Sequence, residues 1–252
     1  MANRHPVFTV PFRAKTAPEP ASLSQQAFHT IRDRILKGTI ALGAPLSRRR
    51  LAAELGMSLL PVAEALQALE ADGLVESRPR VGTRVCRPTA EEIRDRYEVR
   101  EALEAQAARL YAVRAGEREK HEMERAAGRL DAMFQRAANA GDDRDFLYSV
   151  HSHHLEFHLR IAEFARCGVL RNMIEKNQVL IFNWLFDVAS SRPALPVDFH
   201  RQLMEALHGG RANAADRAMR AHVRYGLEDV VKAIGPHRGD APFQRVRQPD
   251  SH

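Results

Sequence analysis

Leu51-Ala-Ala-Glu-Leu-Gly-Met-Ser-Leu-Leu-Pro-Val-Ala-Glu-Ala-Leu-Gln-Ala-Leu-Glu-Ala-Asp-Gly-Leu74 is the stretch from which the rest of the chain is read. Its first part predicts a short helix with Leu51, Ala52 and Leu55 on one face, stopped at Gly56, whose missing Cβ suits a helix end. Ser58 stands where it would cap a second helix, and Pro61 falls in the first turn, where a missing N–H costs nothing. Val62, Ala65, Leu66 and Leu69 recur at i, i+3, i+4 and i+7, a buried stripe, and Gly73 closes the run. Two helices about a tight turn outline either a hairpin inside a helical bundle or a helix-turn-helix, whose second helix enters a DNA major groove.

The residues that follow favour the second outline. Leu74-Val-Glu-Ser-Arg78 and Thr83-Arg-Val-Cys-Arg87 predict two short strands around Pro79-Arg-Val-Gly82, a hairpin carrying arginines. A helix-turn-helix followed by a basic hairpin is a winged helix. Charge is distributed accordingly. Residues 22–88 hold ten Lys/Arg against six Asp/Glu, whereas residues 89–235 hold 22 against 23, in a chain of net charge +6. The positive excess sits on the part that would meet phosphate.

At this point the chain resembles the GntR family of bacterial transcription regulators. The resemblance is carried by Ile35-Leu-Lys-Gly-Thr-Ile-Ala-Leu-Gly-Ala-Pro-Leu46, Leu51-Ala-Ala-Glu-Leu-Gly-Met-Ser58, Pro61-Val62, Ala65-Leu66, Asp72-Gly-Leu-Val75 and Pro79-Arg-Val-Gly-Thr-Arg-Val85. It implies an N-terminal winged helix joined to a variable effector-binding domain. It also implies a DNA face made of Arg48, Arg49, Arg50, Ser58, Leu59, Leu60, Ala63, Arg78, Arg80, Gly82 and Arg84, with a double-stranded operator as partner. Members of the family usually carry arginine where this chain has Leu59 and Ala63. Bidentate arginine–guanine contacts are the commonest specific readout, so the usual operator is not expected here. Leu59, Leu60 and Ala63 would instead touch thymine methyls, or the helix would read mainly shape.

A chain of 252 residues with 44 % apolar content suits two modest domains. Residues 1–20 and 236–252 read as flexible tails, 21–88 as the winged helix and 89–235 as an all-helical domain. A first helix is expected at about 22–38. Six more follow near 90–114, 117–139, 143–164, 168–189, 197–208 and 211–234, separated by Gly- and Pro-containing loops. Thr89 is placed to cap the first of the six, with Glu92 completing a capping box. The fold class is therefore mostly α: a winged helix-turn-helix followed by an antiparallel six-helix bundle. The two cysteines, Cys86 and Cys167, suggest no disulfide framework. The N-terminus offers no apolar segment for a signal peptide and no 18-residue apolar run occurs, so a cytoplasmic protein with no membrane partner is expected.

Chemistry in the second domain rests on histidine. Of the twelve in the chain, His154 and His158 lie one turn apart on the inward stripe of helix 143–164. His200 shares the stripe of Leu203, Met204 and Leu207, and His222 that of Met219 and Val223. Buried imidazoles need partners, since each one left unpaired costs about 1–3 kcal/mol. One divalent metal satisfies four at once, with zinc foremost and nickel, iron or copper as alternatives. His151 is a candidate second partner of the same cluster, while His153 and His208 read as solvent or helix-end residues. No carboxylate is expected beside the four rings.

Glu156-Phe-His158, Phe199-His200 and Met219-Arg-Ala-His222 add a second resemblance, to the FCD effector domain of the FadR-like branch of GntR regulators. It implies metal ligands at His154, His158, His200 and His222, with His154 standing where the family usually has Asp. It also implies a small carboxylate effector beside the metal. Arg100 and Asn183 are candidate effector-binding residues. A structural Arg100–Glu104 ion pair and a packed, hydrogen-bonded Asn183 are the equal alternatives. No step in this reading needs catalysis: the chain is expected to be a ligand-responsive regulator, a repressor foremost, working as a homodimer. A metal-dependent enzyme on the same bundle and a non-specific DNA-binding or scaffold relative are the rival readings.

Overall fold

The computed structural model describes residues 21–138, 143–187 and 194–234, with backbone alone at 179–187 and 233–234. The side chain of Asn183 therefore lies outside the described residues. In chain order the elements are α1 (Leu23–Leu36), β1 (Pro45–Leu46), α2 (Arg48–Leu55), α3 (Leu59–Ala71), β2 (Val75–Arg78) and β3 (Gly82–Val85). The second domain follows with α4 (Ala90–Arg114), α5 (Glu117–Ala137), α6 (Arg144–Phe164), α7 (Gly168–Asp187), α8 (Phe199–His208), α9 (Ala212–Arg224) and α10 (Leu227–Ile234).

The N-terminal domain is built as its local sequence dictates. Gly56 ends α2 in the left-handed conformation, φ 64°, where a Cβ would be strained. Val62, Ala65, Leu66 and Leu69 are buried against Ala27, Ile31 and Ile35 of α1. Strands β2 and β3 pair antiparallel with Glu76 opposite Arg84. The sheet gains a third strand that the sequence did not suggest: Pro45–Leu46 pairs with β3, so the order is β1-β3-β2. Two residues are too short to show an alternating pattern, and only the partner strand makes them a strand. Ser58 occupies the N-cap of α3 as expected, but its hydroxyl makes no capping hydrogen bond and is exposed.

Helix α4 is the spine of the second domain. Thr89 and Glu92 close a complete capping box at its start, and α4 touches α6, α7, α8, α9 and α10. Helix α5 packs on α6 and α8. The last helix expected from the sequence is divided: α9 ends at Arg224, and Gly226 (φ 76°) turns the chain before α10. The apolar stripe continues across the break to Val230, which is why its periodicity alone does not reveal the turn. The domains meet where α1 touches α7; Lys37 also lies over the Tyr148 ring of α6, 5.2 Å from its centroid. Among the described residues no helix is long and apolar enough to cross a membrane.

Candidate metal centre and nucleic-acid interface

Helix α6 presents His154 and His158 one turn apart, and their Nε2 atoms lie 3.0 Å from each other. His222 of α9 joins them, so that a ring nitrogen from each of the three lies within 4.8 Å of the other two. His200 stands beside this trio, its ring centre 5.1 Å from that of His154 and 5.2 Å from that of His222. The four histidines singled out from the sequence are therefore brought together, three tightly and the fourth alongside.

Two carboxylates that sequence reasoning did not expect beside the rings set their orientation. The Nδ1 of His158 lies 2.7 Å from Oε2 of Glu104, and the Nδ1 of His200 lies 2.7 Å from Oδ1 of Asp131. An ionised carboxylate only accepts, so His200 donates its Nδ1–H to Asp131 and keeps the Nε2 lone pair for the centre, while the His158–Glu104 contact is at ion-pair distance without hydrogen-bond alignment. Both acids are buried. A signal for them does exist: Asp131 follows Met123 and Ala127 on the inward stripe of α5, and Glu104 lies on the α4 stripe through Tyr97 and Arg100. A charge on an inward stripe needs a buried partner, and these are the partners.

Asp131 has a second task. Asp198 at the N-cap of α8 makes no capping bond. Asp131 instead reaches across from α5 and accepts from the backbone N–H of His200 at 3.0 Å and of Arg201 at 3.1 Å. It thereby fixes the helix start and the His200 ring together. Glu104 likewise accepts from Arg100 Nε at 2.8 Å and from Gln178 Nε2 of α7 at 2.5 Å. Burial pushes its carboxyl up, but the Arg100 guanidinium and then His158 outweigh that and hold it down at about 2. The ion pair weighed for Arg100 exists, and Arg100 also borders the histidine cavity.

Burial, and after it the neighbouring His158 and His200 rings, holds His154 and His222 well below the ordinary imidazole range. Burial lowers His200 too, against the opposing pull of Asp131. These rings are neutral near pH 7, the form that binds metal. Within the cluster, Nδ1 of His158, Nε2 of His200 and Nδ1 of His222 are buried with no hydrogen-bond partner among the described residues. Buried orphan acceptors facing a cluster of further nitrogens fit a divalent cation. The space bounded by Tyr97, Arg100, Phe134, His154, Phe199 and His222 is about 20 Å³, room for an ion or one water. His151 is buried with its ring edge-on to Phe134, His153 bonds the Ser149 carbonyl, and His208 meets the Tyr111 hydroxyl at 3.2 Å.

The residues assigned to DNA fall on one domain. Arg48, Arg49 and Arg50 form the exposed first turn of α2, capped by Ser47. Cations at the positive end of a helix oppose its dipole, by about 0.3–1 kcal/mol each, and bound phosphate would reverse that balance. Arg50 is partly engaged by Glu54 at 2.8 Å. On the hairpin, Arg80 is exposed with φ 62°, and Gly82 turns at φ 119°. Arg84 is half-buried and paired with Glu76, which also lies 3.8 Å from Arg78. Leu59 and Leu60 are exposed at the start of α3 and Ala63 is half-buried behind them.

Comparison with known proteins agrees with both halves. Residues 23–85 match the model of bacterial regulatory proteins of the gntR family, and residues 95–225 match the FCD domain. The chain is 33 % identical over 205 residues to the "Probable D-xylose utilization operon transcriptional repressor" of Paenarthrobacter nicotinovorans, covering 80 % of this chain and 85 % of that one. It is 26 % identical to the "HTH-type transcriptional repressor RspR" of Escherichia coli K12, over 86 % of this chain and 92 % of that one. Among solved structures, E. coli McbR/YncC superposes with a TM-score of 0.65 at 22 % identity, over 83 % of this chain and 97 % of the other. A GntR protein of Rhodococcus sp. RHA1 gives 0.67 at 21 % identity, over 82 % and 97 %. Both sequence relatives carry the names of transcriptional repressors. The chain belongs to the GntR family of bacterial regulatory proteins, as a transcription regulator joining a winged helix-turn-helix to an FCD domain.

Proposed function

We propose that this regulator is a repressor whose FCD domain holds a divalent metal, zinc foremost, on His154, His158, His200 and His222, and that it responds to a small carboxylate. The observation that carries the metal is the convergence of four largely buried imidazoles with orphaned nitrogens, two of them backed by carboxylates. Bound there, the ion would supply positive charge for an anionic effector. All four ligands would be imidazoles, which carry no negative charge to cancel that of the ion. Arg100, on the same cavity wall and already paired through Nε with Glu104, is the second cation that a carboxylate would meet there.

The cavity is too small for an organic acid as it stands. An effector must therefore displace a wall, and the wall residue nearest solvent is Tyr225, 44 % exposed at the end of α9. Coupling to DNA would run through the elements that touch both sides. Glu104, which holds His158, also holds Gln178 of α7, and α7 touches α1 of the DNA-binding domain. A differential grip on α7 with and without effector is what linkage requires. Two copies acting as a homodimer would place two winged helices on a pseudo-palindromic operator. The repressor assignment is supported by the names of the two relatives.

The test is metal content. His200→Ala and His222→Ala should each reduce zinc in the purified protein from near-stoichiometric to a small fraction, while binding of duplex DNA persists. Unchanged metal content in both variants would remove the site. Titrating small carboxylates into the metal-loaded protein on operator DNA should change affinity by about 5- to 150-fold for the true effector class.

A further inference from the structure

Helix α3 contains no lysine or arginine: its sequence is Leu-Leu-Pro-Val-Ala-Glu-Ala-Leu-Gln-Ala-Leu-Glu-Ala. The exposed cations of this domain stand elsewhere, on α2 at Arg48, Arg49 and Arg50, and on or just beyond the hairpin at Arg78, Arg80 and Arg87. What α3 offers instead, at the end that meets base edges in a helix-turn-helix, is Leu59 at 52 % and Leu60 at 67 % exposure. Two adjacent leucines left in water forgo the burial that Leu66 and Leu69 reach on the same helix. Glu64 and Gln67, exposed one and two turns on, continue the outward face.

The chemistry of this face selects its partner. Guanine shows only acceptors, N7 and O6, in the major groove, and Leu59, Leu60 and Glu64 cannot donate to them; the side-chain donors Ser58 and Gln67 lie before the leucines and two turns beyond them. The one apolar group that a base displays there is the C5-methyl of thymine. Cations placed beside the apolar tip, on α2 and the hairpin, complement phosphate flanking the groove, which an apolar protein partner would not require.

We infer that Leu59 and Leu60 specify the operator by contact with thymine methyl groups, so that each half-site carries A·T pairs where the start of α3 meets the groove. Phosphate contacts from α2 and the hairpin position the helix but do not select guanine there. This rests on DNA being bound through the winged helix.

The experiment uses the full chain. Duplexes selected from a randomised pool should share thymines in each half-site. Replacing those thymines by uracil, which removes only the methyl group, should weaken binding about fourfold per methyl contacted. Leu60→Ala should weaken the thymine duplex and abolish its advantage over the uracil duplex at one position, whereas Leu60→Met should keep it. Melting temperatures of both variants check that the exposed site leaves the fold unchanged. Equal affinity for thymine and uracil duplexes, with salt-dependent binding intact, overturns this inference and leaves DNA binding standing. Failure to bind any duplex at low salt overturns the DNA face itself. A changed oligomeric state in Leu60→Ala would show that the leucines cover a protein surface, and would also overturn it.

Discussion

At the scale of single residues, the decisive feature is a carboxylate behind an imidazole. Asp131 orients His200 and also satisfies two backbone donors at the start of α8, so one side chain fixes both the ring and the helix that carries it. Outer partners of this kind typically contribute 10- to 100-fold to metal affinity. Asp131→Asn should therefore weaken zinc binding by about that factor in a chelator competition, and wild-type affinity in the variant would show that the pairing is only structural. Glu104 is bound more tightly into its surroundings, by Arg100, His158 and Gln178. The cysteines are of a different kind. Burial, and after it Glu76 and Glu92, pushes the Cys86 thiol up to about 11, which leaves little thiolate for redox chemistry at neutral pH. The four histidines were legible in the sequence because each falls on an apolar stripe. Their carboxylate partners were not, because a charge on a stripe signals a buried partner without saying which one.

At the scale of elements, the contrast is between α3 and the pair α9–α10. The first is fixed locally, by Gly56 before it, Pro61 in its first turn and a four-residue stripe, and the structure reproduces it. The second reads as one long helix because its stripe runs unbroken from Ala215 to Val230, yet Gly226 divides it at φ 76°. A side chain in that left-handed conformation costs about 1–2 kcal/mol. Gly226→Ala is expected to lower unfolding stability by about 1 kcal/mol in a denaturant titration. A stability gain would mean that the chain prefers to continue the helix through this point. Strand β1 shows the same limit in small form: two residues become a strand only because β3 lies beside them.

At the scale of the whole molecule, the two halves are divided by charge and joined through few contacts. The excess of arginine lies on the winged helix, and its first-turn run on α2 faces outward. Arg49→Ala should weaken binding to all duplex sequences alike and reduce the slope of log affinity against log salt by about 1. Loss of sequence preference with an unaltered slope would instead place Arg49 on a base. In the helical half, α4 touches five other helices, and the acid that holds His158 is on it. Glu104 thus touches both His158 and Gln178 of α7, and α7 is the helix that meets α1.

The sequence by itself determined the helices, the wing, the inward histidines and the division of charge. Periodicity, turn residues and composition are local properties that need no knowledge of neighbours. Only the tertiary structure decided that Glu104 and Asp131 stand behind two of the rings, that the space between them and the neighbouring aromatics is about 20 Å³, and that α7 links the histidine cluster to α1. Those facts depend on how helices far apart in the chain pack against one another. Within a single helix, a stripe records which face turns inward but not what it meets there.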